Sequence, residues 1–472
     1  MTAPVDPVRF DEARTRAFDT AREVARQGFH VVLVRDVLGR FSLVVDDREK
    51  QKEAVLKLVP GWEKLLADRL GPYRTGRPVL LTSQMFSADA LLASPRAVAD
   101  SNGPSGKGSV RFLDNTVVGE DWAKVSPLVD GASGNRAHRT ALYGFKGGVG
   151  RTTAMAVLAR RLADSGHVVL VVDLDLESPG AGPLLMGQDL PPHGLVDHLV
   201  EAAVGSADGL EMVIRTPYVP PRADDGRFGE LWVAPARGGG GGETAYSYAE
   251  KLNRVYANTV DASFAERLEQ AVCACEEAVE RDSDTGRHPD VVLLDSRAGI
   301  HDVAAVTISR LCDLALLFGG NNEQTWMGYG DLFAAWHSLG QASHIREKLR
   351  MVASMVPDSV HYPMDAYLEA FRERAFECFE VLYDTVAPVD VGAAEGASED
   401  GVATARDDEQ APHFAIPILF EPGLVGMDAS NAPGWQERAF VQAAYRDFLD
   451  GVTTLIEAAL VAGQDEEGTR DT

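Results

Sequence analysis

The sequence has few cysteines, and their spacing excludes two common kinds of metal site. It contains four cysteines in 472 residues: Cys273, Cys275, Cys312 and Cys378. None of them forms the Cys-x-x-Cys pair that is typical of structural zinc and iron–sulfur sites, so neither centre is expected. Few, unclustered cysteines favour reduced thiols and a cytoplasmic location.

The sequence also lacks long apolar segments. No run approaches the ~20 apolar residues that a membrane-spanning helix needs. The first residues, MTAPVDPVRFDEAR, carry early acids and lack the apolar centre of a signal peptide. The last residues, GQDEEGTRDT, are acidic, whereas anchoring through an interfacial helix needs a basic polar face. We therefore expect no membrane anchor.

Basic residues are outnumbered by acidic ones. The chain has 45 Lys and Arg against 71 Asp and Glu, a formal net charge of −26. A surface of this sign repels polyphosphate backbones unless a local basic patch overcomes it, and the sequence contains no dense Lys/Arg run. The composition therefore disfavours nucleic acid as a partner.

One segment, Thr140 to Gly182, has the order strand, glycine-rich turn, helix, strand and acidic loop. The turn is Lys146-Gly-Gly-Val-Gly150, and Arg151-Thr-Thr153 begins the helix. Such a turn directs backbone N–H groups and the positive end of the helix at an anion, so it predicts a phosphate-binding loop. The uninterrupted apolar run Val168 to Val172 is typical of a parallel strand covered on both faces. With the strands and helices that follow, we predict a doubly wound, mostly parallel α/β sheet.

The turn departs at two positions from the general phosphate-loop pattern G-x-x-x-x-G-K-[ST]. Phe145 stands where the first Gly is expected, Arg151 stands where the Lys is expected, and Lys146 is additional. The string resembles the deviant Walker A motif KGGVGK[ST] of the MinD/ParA family of P-loop ATPases, in its KGGVGR variant. The resemblance covers about residues 138 to 460.

Two acidic segments follow the turn. Val172-Asp173-Leu-Asp175 places two carboxylates on the same side of an extended chain. A later apolar strand ends at Asp295, at the edge where ligands bind in doubly wound sheets. The string from Asp295 to Ile300 resembles the family's Walker B segment, Asp-Ser-Pro-Ala-Gly-Ile, with Arg297 in place of proline.

The resemblance implies ATP and Mg²⁺ as cofactors. The residues that would bind the nucleotide are Lys146, Gly147, Gly148, Val149, Gly150, Arg151, Thr152 and Thr153. Those that would support the metal are Thr152, Asp173 and Asp295, and Asp175 would orient the attacking water. Lys146 would reach the phosphates of a second subunit, so ATP would bridge a homodimer.

Arg151 is the unusual member of this set. Its planar, permanently charged guanidinium is not equivalent to a lysine ammonium. It either clamps two phosphate oxygens or swings out and leaves hydrolysis slow.

The sequence predicts a division of the chain into domains. Residues 1–130 have an α/β pattern without a catalytic constellation, and we expect an accessory domain that engages an unknown protein partner. Residues 131–138 are predicted as a linker and residues 139–462 as the ATPase domain. The acidic insert 392–410 and the acidic tail 463–472 are predicted to be disordered.

Several alternatives remain open at this stage. A P-loop tyrosine kinase typically carries a tyrosine-rich C-terminal tail, and the tail here has no tyrosine. A nucleotide-binding scaffold with little turnover would fit Arg151. A metallocluster carrier of the Mrp type needs the missing Cys-x-x-Cys. Candidates for contact with the base are Asn321, Asn322 and Pro417.

Overall fold

Separate hydrophobic cores divide the chain into two units, residues 1–118 and 119–472. The structure is a computed structural model. It describes residues 8, 10–36, 39–86, 88–104, 108–115, 122, 125, 136–240, 246–256, 258–259, 262–383, 404–427 and 432–470. Most of the predicted linker, 131–135, lies outside these residues.

The first unit is built on a five-stranded mixed sheet. Its strands are β1 (His30–Arg35), β2 (Phe41–Asp46), β3 (Arg74–Leu81), β4 (Val98–Ala99) and β5 (Ser109–Asp114), in the order β3-β2-β1-β5-β4. Its helices are α1 (Phe10–Arg26), α2 (Lys52–Leu70) and α3 (Ala88–Leu92). Apolar positions of α1 at helical spacing, such as Ala13, Ala17 and Ala21, are fully buried against the sheet.

The second unit contains an eight-stranded sheet in the order β13-β12-β11-β6-β10-β7-β9-β8. Its strands are β6 (His138–Gly144), β7 (Val168–Leu174), β8 (Ile214–Arg215), β9 (Glu230–Ala234), β10 (Val291–Ser296), β11 (Leu314–Gly319), β12 (Leu349–Val356) and β13 (Ile416–Leu419). Neighbouring strands run parallel except β8, which is antiparallel to β9.

Helices cover both faces of this sheet. They are α4 (Arg151–Asp164), α5 (Ala181–Met186), α6 (Leu195–Ala202), α7 (Tyr248–Val255), α8 (Phe264–Asp282), α9 (Asp302–Val306), α10 (Glu323–Ser338), α11 (Ala342–Arg346), α12 (Met364–Phe379) and α13 (Ala439–Arg470). Alternate residues of β6 enter two different cores: Leu142 packs with α4 and α13, whereas Ala141 and Tyr143 pack with α8, α9 and α10. The predicted doubly wound, mostly parallel sheet is confirmed.

The strand register brings the predicted acids together. Asp295 of β10 lies opposite Asp173 of β7 on one side and Leu142 of β6 on the other. Because these strands are parallel, their carboxyl ends meet at one edge, where β6 also runs into the glycine turn. The site is therefore formed by three adjacent central strands.

Three segments differ from the sequence-based expectations. Trp122, expected in the first domain, belongs to the second unit, where its ring packs on Tyr143 and Trp336 at centroid distances of 6.2 and 5.7 Å. Residues 463–470, expected to be disordered, continue α13 as a helix, since Glu and Gln there favour helix and no proline interrupts it. Residues 392–403 of the insert predicted to be disordered lie outside the described residues. Residues 404–410 are described, and there the Arg406 carbonyl lies 3.0 Å from His413 Nε2.

No helix in the described residues combines the length and apolar character required to cross a membrane.

Candidate functional site

The glycine turn between β6 and α4 has the backbone of an anion-binding loop. Gly148 and Gly150 adopt φ values of 76° and 79°, a left-handed conformation that residues with a Cβ rarely adopt. Gly150 is also the N-cap of α4 and offers no side-chain acceptor to the first helical turn. The N–H groups that begin a helix have no intrahelical partner, so those at Arg151, Thr152 and Thr153 are available to a ligand.

Two side chains that flank the turn have opposite surroundings. Phe145, in place of the usual glycine, packs against α10 beside Tyr329, with ring centroids 6.4 Å apart. This close approach requires Gly328, because a Cβ there would lie 2.3 Å from the Phe145 ring. Lys146 is exposed and forms no ion pair within the part of the chain that the structure describes. Its ammonium group therefore remains available for an anion from outside.

Arg151 points into the protein. Its side chain is buried, and its Nη1 donates a hydrogen bond of 2.6 Å to the Ser296 carbonyl at the end of β10. Its Nη2 lies 3.9 Å from Asp175 Oδ2. The residue in the usual lysine position thus connects the start of α4 with the ends of β7 and β10.

Asp295 is a carboxylate buried one residue before the end of strand β10. The residue is 1% exposed, and neither of its carboxylate oxygens has a hydrogen-bond partner among the described residues. Burial raises the pKa of Asp295 to about 6, although the Arg151 charge and the nearby Thr152 hydroxyl act to lower it. A buried carboxylate left unsatisfied beside a hydroxyl is a suitable donor set for a hard divalent cation.

Asp173 is equally buried but is fully engaged. Its Oδ1 accepts the Asp175 N–H at 3.2 Å, and its Oδ2 accepts the N–H groups of Gly180 and Ala181 at 3.0 Å each. Burial and the charge of Asp295 raise the pKa of Asp173 well above its usual range. These bonds fasten the loop that follows β7 to the strand itself.

Asp175 lies on that loop, between Arg151 and a turn of its own. Its Oδ1 accepts the Ser178 N–H at 3.2 Å. Burial raises its pKa, whereas the charges of Arg151 and Arg297 lower it. The carboxylate is part-exposed, with 18% of the side chain accessible. It can therefore meet a solvent molecule near the glycine turn.

Residues 140–363 match the CbiA family, described as the CobQ/CobB/MinD/ParA nucleotide binding domain. The chain carries a MinD/ParA-type nucleotide-binding domain. The resemblance inferred from the motifs is confirmed at this level, while the KGGVGR variant and the roles of individual residues stay predictions. A comparison with curated proteins finds no match.

Solved structures with some similarity come from the same group of proteins. MinD of Pyrococcus horikoshii OT3, complexed with Mg-ADP, is 15% identical, with 68% of this chain and 97% of that chain covered and a TM-score of 0.39. The ParA of pNOB8 is 14% identical, with coverages of 70% and 100% and a TM-score of 0.39. Cobyrinic acid a,c-diamide synthase of Mycobacterium smegmatis, with an ATP analogue and magnesium, is 16% identical, with coverages of 51% and 83% and a TM-score of 0.35. The family assignment rests on residues 140–363 and not on these weak similarities.

The MinD/ParA-type domain has a second charged cluster that the sequence motifs did not reveal. Glu177, two residues beyond Asp175, forms an ion pair with Arg297 and accepts a hydrogen bond from the Tyr256 hydroxyl. His301 Nε2 lies 3.5 Å from the same carboxylate. The one signal in the sequence was Arg297 itself, which replaces the proline of the family motif.

The candidates for base contact are largely committed within the domain. Asn322 caps α10, with its Oδ1 accepting the Thr325 N–H at 3.1 Å. Asn321 Oδ1 accepts the indole N–H of Trp326 at 2.9 Å. Pro417 lies in the edge strand β13. Their contact with a base stays a prediction.

Proposed function

We propose that this protein is a Mg²⁺-dependent ATPase whose nucleotide state controls the association of two copies. The proposal is carried by the two buried Asp295 oxygens beside Thr152 and the glycine turn, for which the described residues provide no hydrogen bond of ordinary geometry. An uncompensated carboxylate in a protein interior is costly, and a divalent cation would relieve that cost. The family match supports a nucleotide as the ligand that accompanies the cation.

Each residue has a distinct part in this proposal. The N–H groups from Gly147 to Thr153 would surround the phosphates, and Thr152 and Asp295 would hold the metal. The metal, when bound, neutralises charge on the phosphates and on the leaving oxygen. Asp173 would support the metal site by fixing the loop after β7. Asp175 would orient the water, since it is the accessible carboxylate of the group.

The described residues contain no cluster of three or more His, Cys, Asp or Glu side chains that would hold a metal on its own. Mg²⁺ in nucleotide sites is commonly held by one or two protein groups together with phosphates and water. The pair Thr152 and Asp295 is consistent with that kind of site.

The exposed Lys146 supports the dimer part of the proposal. Because the side chain is exposed, its ammonium group would be able to contact the phosphates bound to a second copy. Lys146→Ala should leave ATP binding within about twofold of wild type but weaken ATP-dependent dimerisation. Light scattering with and without ATP measures this, and an unchanged dimer in the variant would exclude the trans-lysine role.

A protein partner is the remaining part of the proposal, and residues 1–118 are the region we assign to it.

Asp175→Ala should lower the turnover about a hundredfold and retain bound ATP, because the water would lose its orienting base. Phosphate release and nucleotide retention measure the two effects, and wild-type turnover in the variant would show that another acid orients the water. The ATP-retaining variant is also the suitable bait for identifying the partner.

The basic function is tested by binding and turnover on the purified full chain. Calorimetry with ATP should give Mg²⁺-dependent binding, and phosphate release should require both Mg²⁺ and Thr152. The matched control is Thr259→Ala, which removes a hydroxyl far along the chain whose hydrogen bonds among the described residues are to Ala262 of the same turn. Absence of ATP binding by wild-type protein would overturn the proposal.

A slow nucleotide-binding scaffold is a second candidate, and Arg151 favours it. To reach a phosphate, this side chain has to leave the Ser296 carbonyl and Asp175. If these contacts limit the rate, Arg151→Lys should increase turnover while ATP affinity stays similar. ATP binding with no detectable turnover, in wild type and Arg151→Lys alike, would favour the scaffold.

A further inference from the structure

Residues 175–180 form the loop after β7, and two tyrosines from another segment donate hydrogen bonds to consecutive residues of this loop. The Tyr248 hydroxyl donates a hydrogen bond of 2.6 Å to the Leu176 carbonyl. The Tyr256 hydroxyl donates to Glu177 Oε1. Tyr248 begins α7 and Tyr256 immediately follows it. One short helix therefore braces both the backbone and the side chain of the loop that carries Asp175.

The second tie comes from the loop after β10. Arg297 Nη1 pairs with Glu177 Oε2, and the two side chains are 32% and 22% exposed. Arg297 follows Asp295 by two residues, as Glu177 follows Asp175. The imidazole of His301, from the same loop as Arg297, packs edge-on against the Tyr256 ring at 5.2 Å. The ion pair thus joins the loops that leave two neighbouring strands.

Asp175 itself is only loosely held. Its carboxylate is 3.9 Å from Arg151, and its hydrogen bond to Ser178 lies within the same turn. The direction of this carboxylate therefore depends on the backbone of the loop. That backbone is fixed on one side by Asp173 and on the other by the contacts of Leu176 and Glu177.

We propose that the Glu177–Arg297 pair is an interlock between the two loops and that both are positioning residues for Asp175. A proline at position 297 would restrict its own backbone but could not tie one loop to the other. The arginine makes a charge-assisted contact across the gap, and Tyr256 orients the carboxylate that receives it. The structural claim stands alone, whereas its effect on hydrolysis rests on the proposed function.

The first test needs no nucleotide. Hydrogen exchange of the segment 175–181 reports on the N–H groups of Ser178, Gly180 and Ala181, which are bonded to Asp175 and Asp173. In Glu177→Gln and Arg297→Gln we expect exchange about five- to tenfold faster than in wild type, because the loop opens more often.

A matched control is Arg310→Gln, because Arg310 pairs with Glu269 at 34% and 36% side-chain exposure without touching this loop. It should leave exchange in 175–181 unchanged. Equal exchange in wild type and in both interlock variants would overturn the proposal.

The second test is a double-mutant cycle on ATP hydrolysis. Each single variant should lower kcat about tenfold with KM for ATP nearly unchanged, and the double variant should be no slower than either single. Multiplicative losses would contradict an interlock. A raised KM for ATP in Arg297→Gln, with unchanged kinetics in Glu177→Gln, would also contradict an interlock. It would indicate that Arg297 contacts a phosphate directly.

The two proposals fail in different ways. If wild-type protein neither binds nor hydrolyses ATP, the proposed function is wrong, and the exchange experiment still decides whether the loops are interlocked. If ATP is hydrolysed and both single variants match wild type, the positioning role of the pair is wrong and the proposed function remains.

Discussion

Strands β7 and β10 each carry an aspartate near the carboxyl end, and the two aspartates differ in their hydrogen bonds. Asp173 and Asp295 lie opposite one another and are 0% and 1% exposed. Asp173 accepts three backbone N–H groups, whereas Asp295 has no hydrogen-bond partner in the part of the chain that is described. Burial alone therefore does not distinguish a structural carboxylate from a candidate ligand-binding carboxylate. The two are distinguished by whether the carboxylate oxygens accept hydrogen bonds from the protein.

This difference has an energetic consequence. The three N–H donors offset part of the cost of burying the Asp173 carboxylate, whereas no donor among the described residues offsets that cost at Asp295. Groups that reduce stability persist where they serve a site, so Asp295 is the better candidate for a ligand contact. Asp173 is the better candidate for holding the loop.

The largest expected effect is the loss of turnover in Asp295→Asn. The substitution removes the charge that we propose to face the metal, so we expect Mg²⁺-dependent ATP hydrolysis to fall about a hundredfold or more. The same variant should be as stable as wild type or more stable, because a neutral amide is less costly than an unpartnered carboxylate in this interior. Phosphate release and urea unfolding at pH 7.5 measure both effects. An Asp295→Asn variant that is active but less stable than wild type would show that Asp295 has the structural role that we assign to Asp173.

Asp173→Asn should have its main effect on stability. One of the two oxygens that accept N–H groups becomes an NH₂ group, so at least one backbone donor loses its acceptor. We expect the free energy of unfolding to drop by about 1–3 kcal/mol. Urea denaturation without nucleotide is the appropriate measurement. Unchanged stability would mean that the hydrogen bonds to the loop contribute nothing net.

The smallest effect concerns pH. The native pKa of Asp295, about 6, is above its ordinary value of 3.8, so between these values the native state holds a proton that the unfolded state has released. Stability should therefore fall as the pH rises through this window and level off above about pH 6.

Because one proton is involved, the Asp295 contribution has a slope of at most about 1.4 kcal/mol per pH unit. Urea midpoints from pH 4 to 7, without Mg²⁺ and nucleotide, should show a shallower decline in Asp295→Asn than in wild type. Identical pH dependence in the two proteins would contradict the assigned pKa.

The parts of the fold that follow from periodicity were predictable from the sequence. Apolar runs at Val168 to Val172 and before Asp295 predicted buried parallel strands, and both are central strands of the sheet. Parallel strand ends share one edge, so the meeting of Asp173 and Asp295 with the glycine turn also followed.

Side-chain orientation was not predictable in the same way. Arg151 was expected at the phosphates or swung outward, but it is buried against the Ser296 carbonyl. Its direction depends on the packing of three segments distant in sequence. The same holds for the Glu177–Arg297 pair and for Phe145 on Gly328, which join residues more than a hundred positions apart. Motif spacing contains no information about such contacts.

The most direct test of the central claim is metal binding with ATP present. Mn²⁺ is a paramagnetic substitute for Mg²⁺ on oxygen ligands, so its electron paramagnetic resonance reports the protein-bound ion. Wild type and Asp173→Asn should both bind Mn²⁺-ATP, whereas Asp295→Asn should bind it at least about tenfold more weakly. Equal binding in wild type and Asp295→Asn, with a loss confined to Asp173→Asn, would contradict the account.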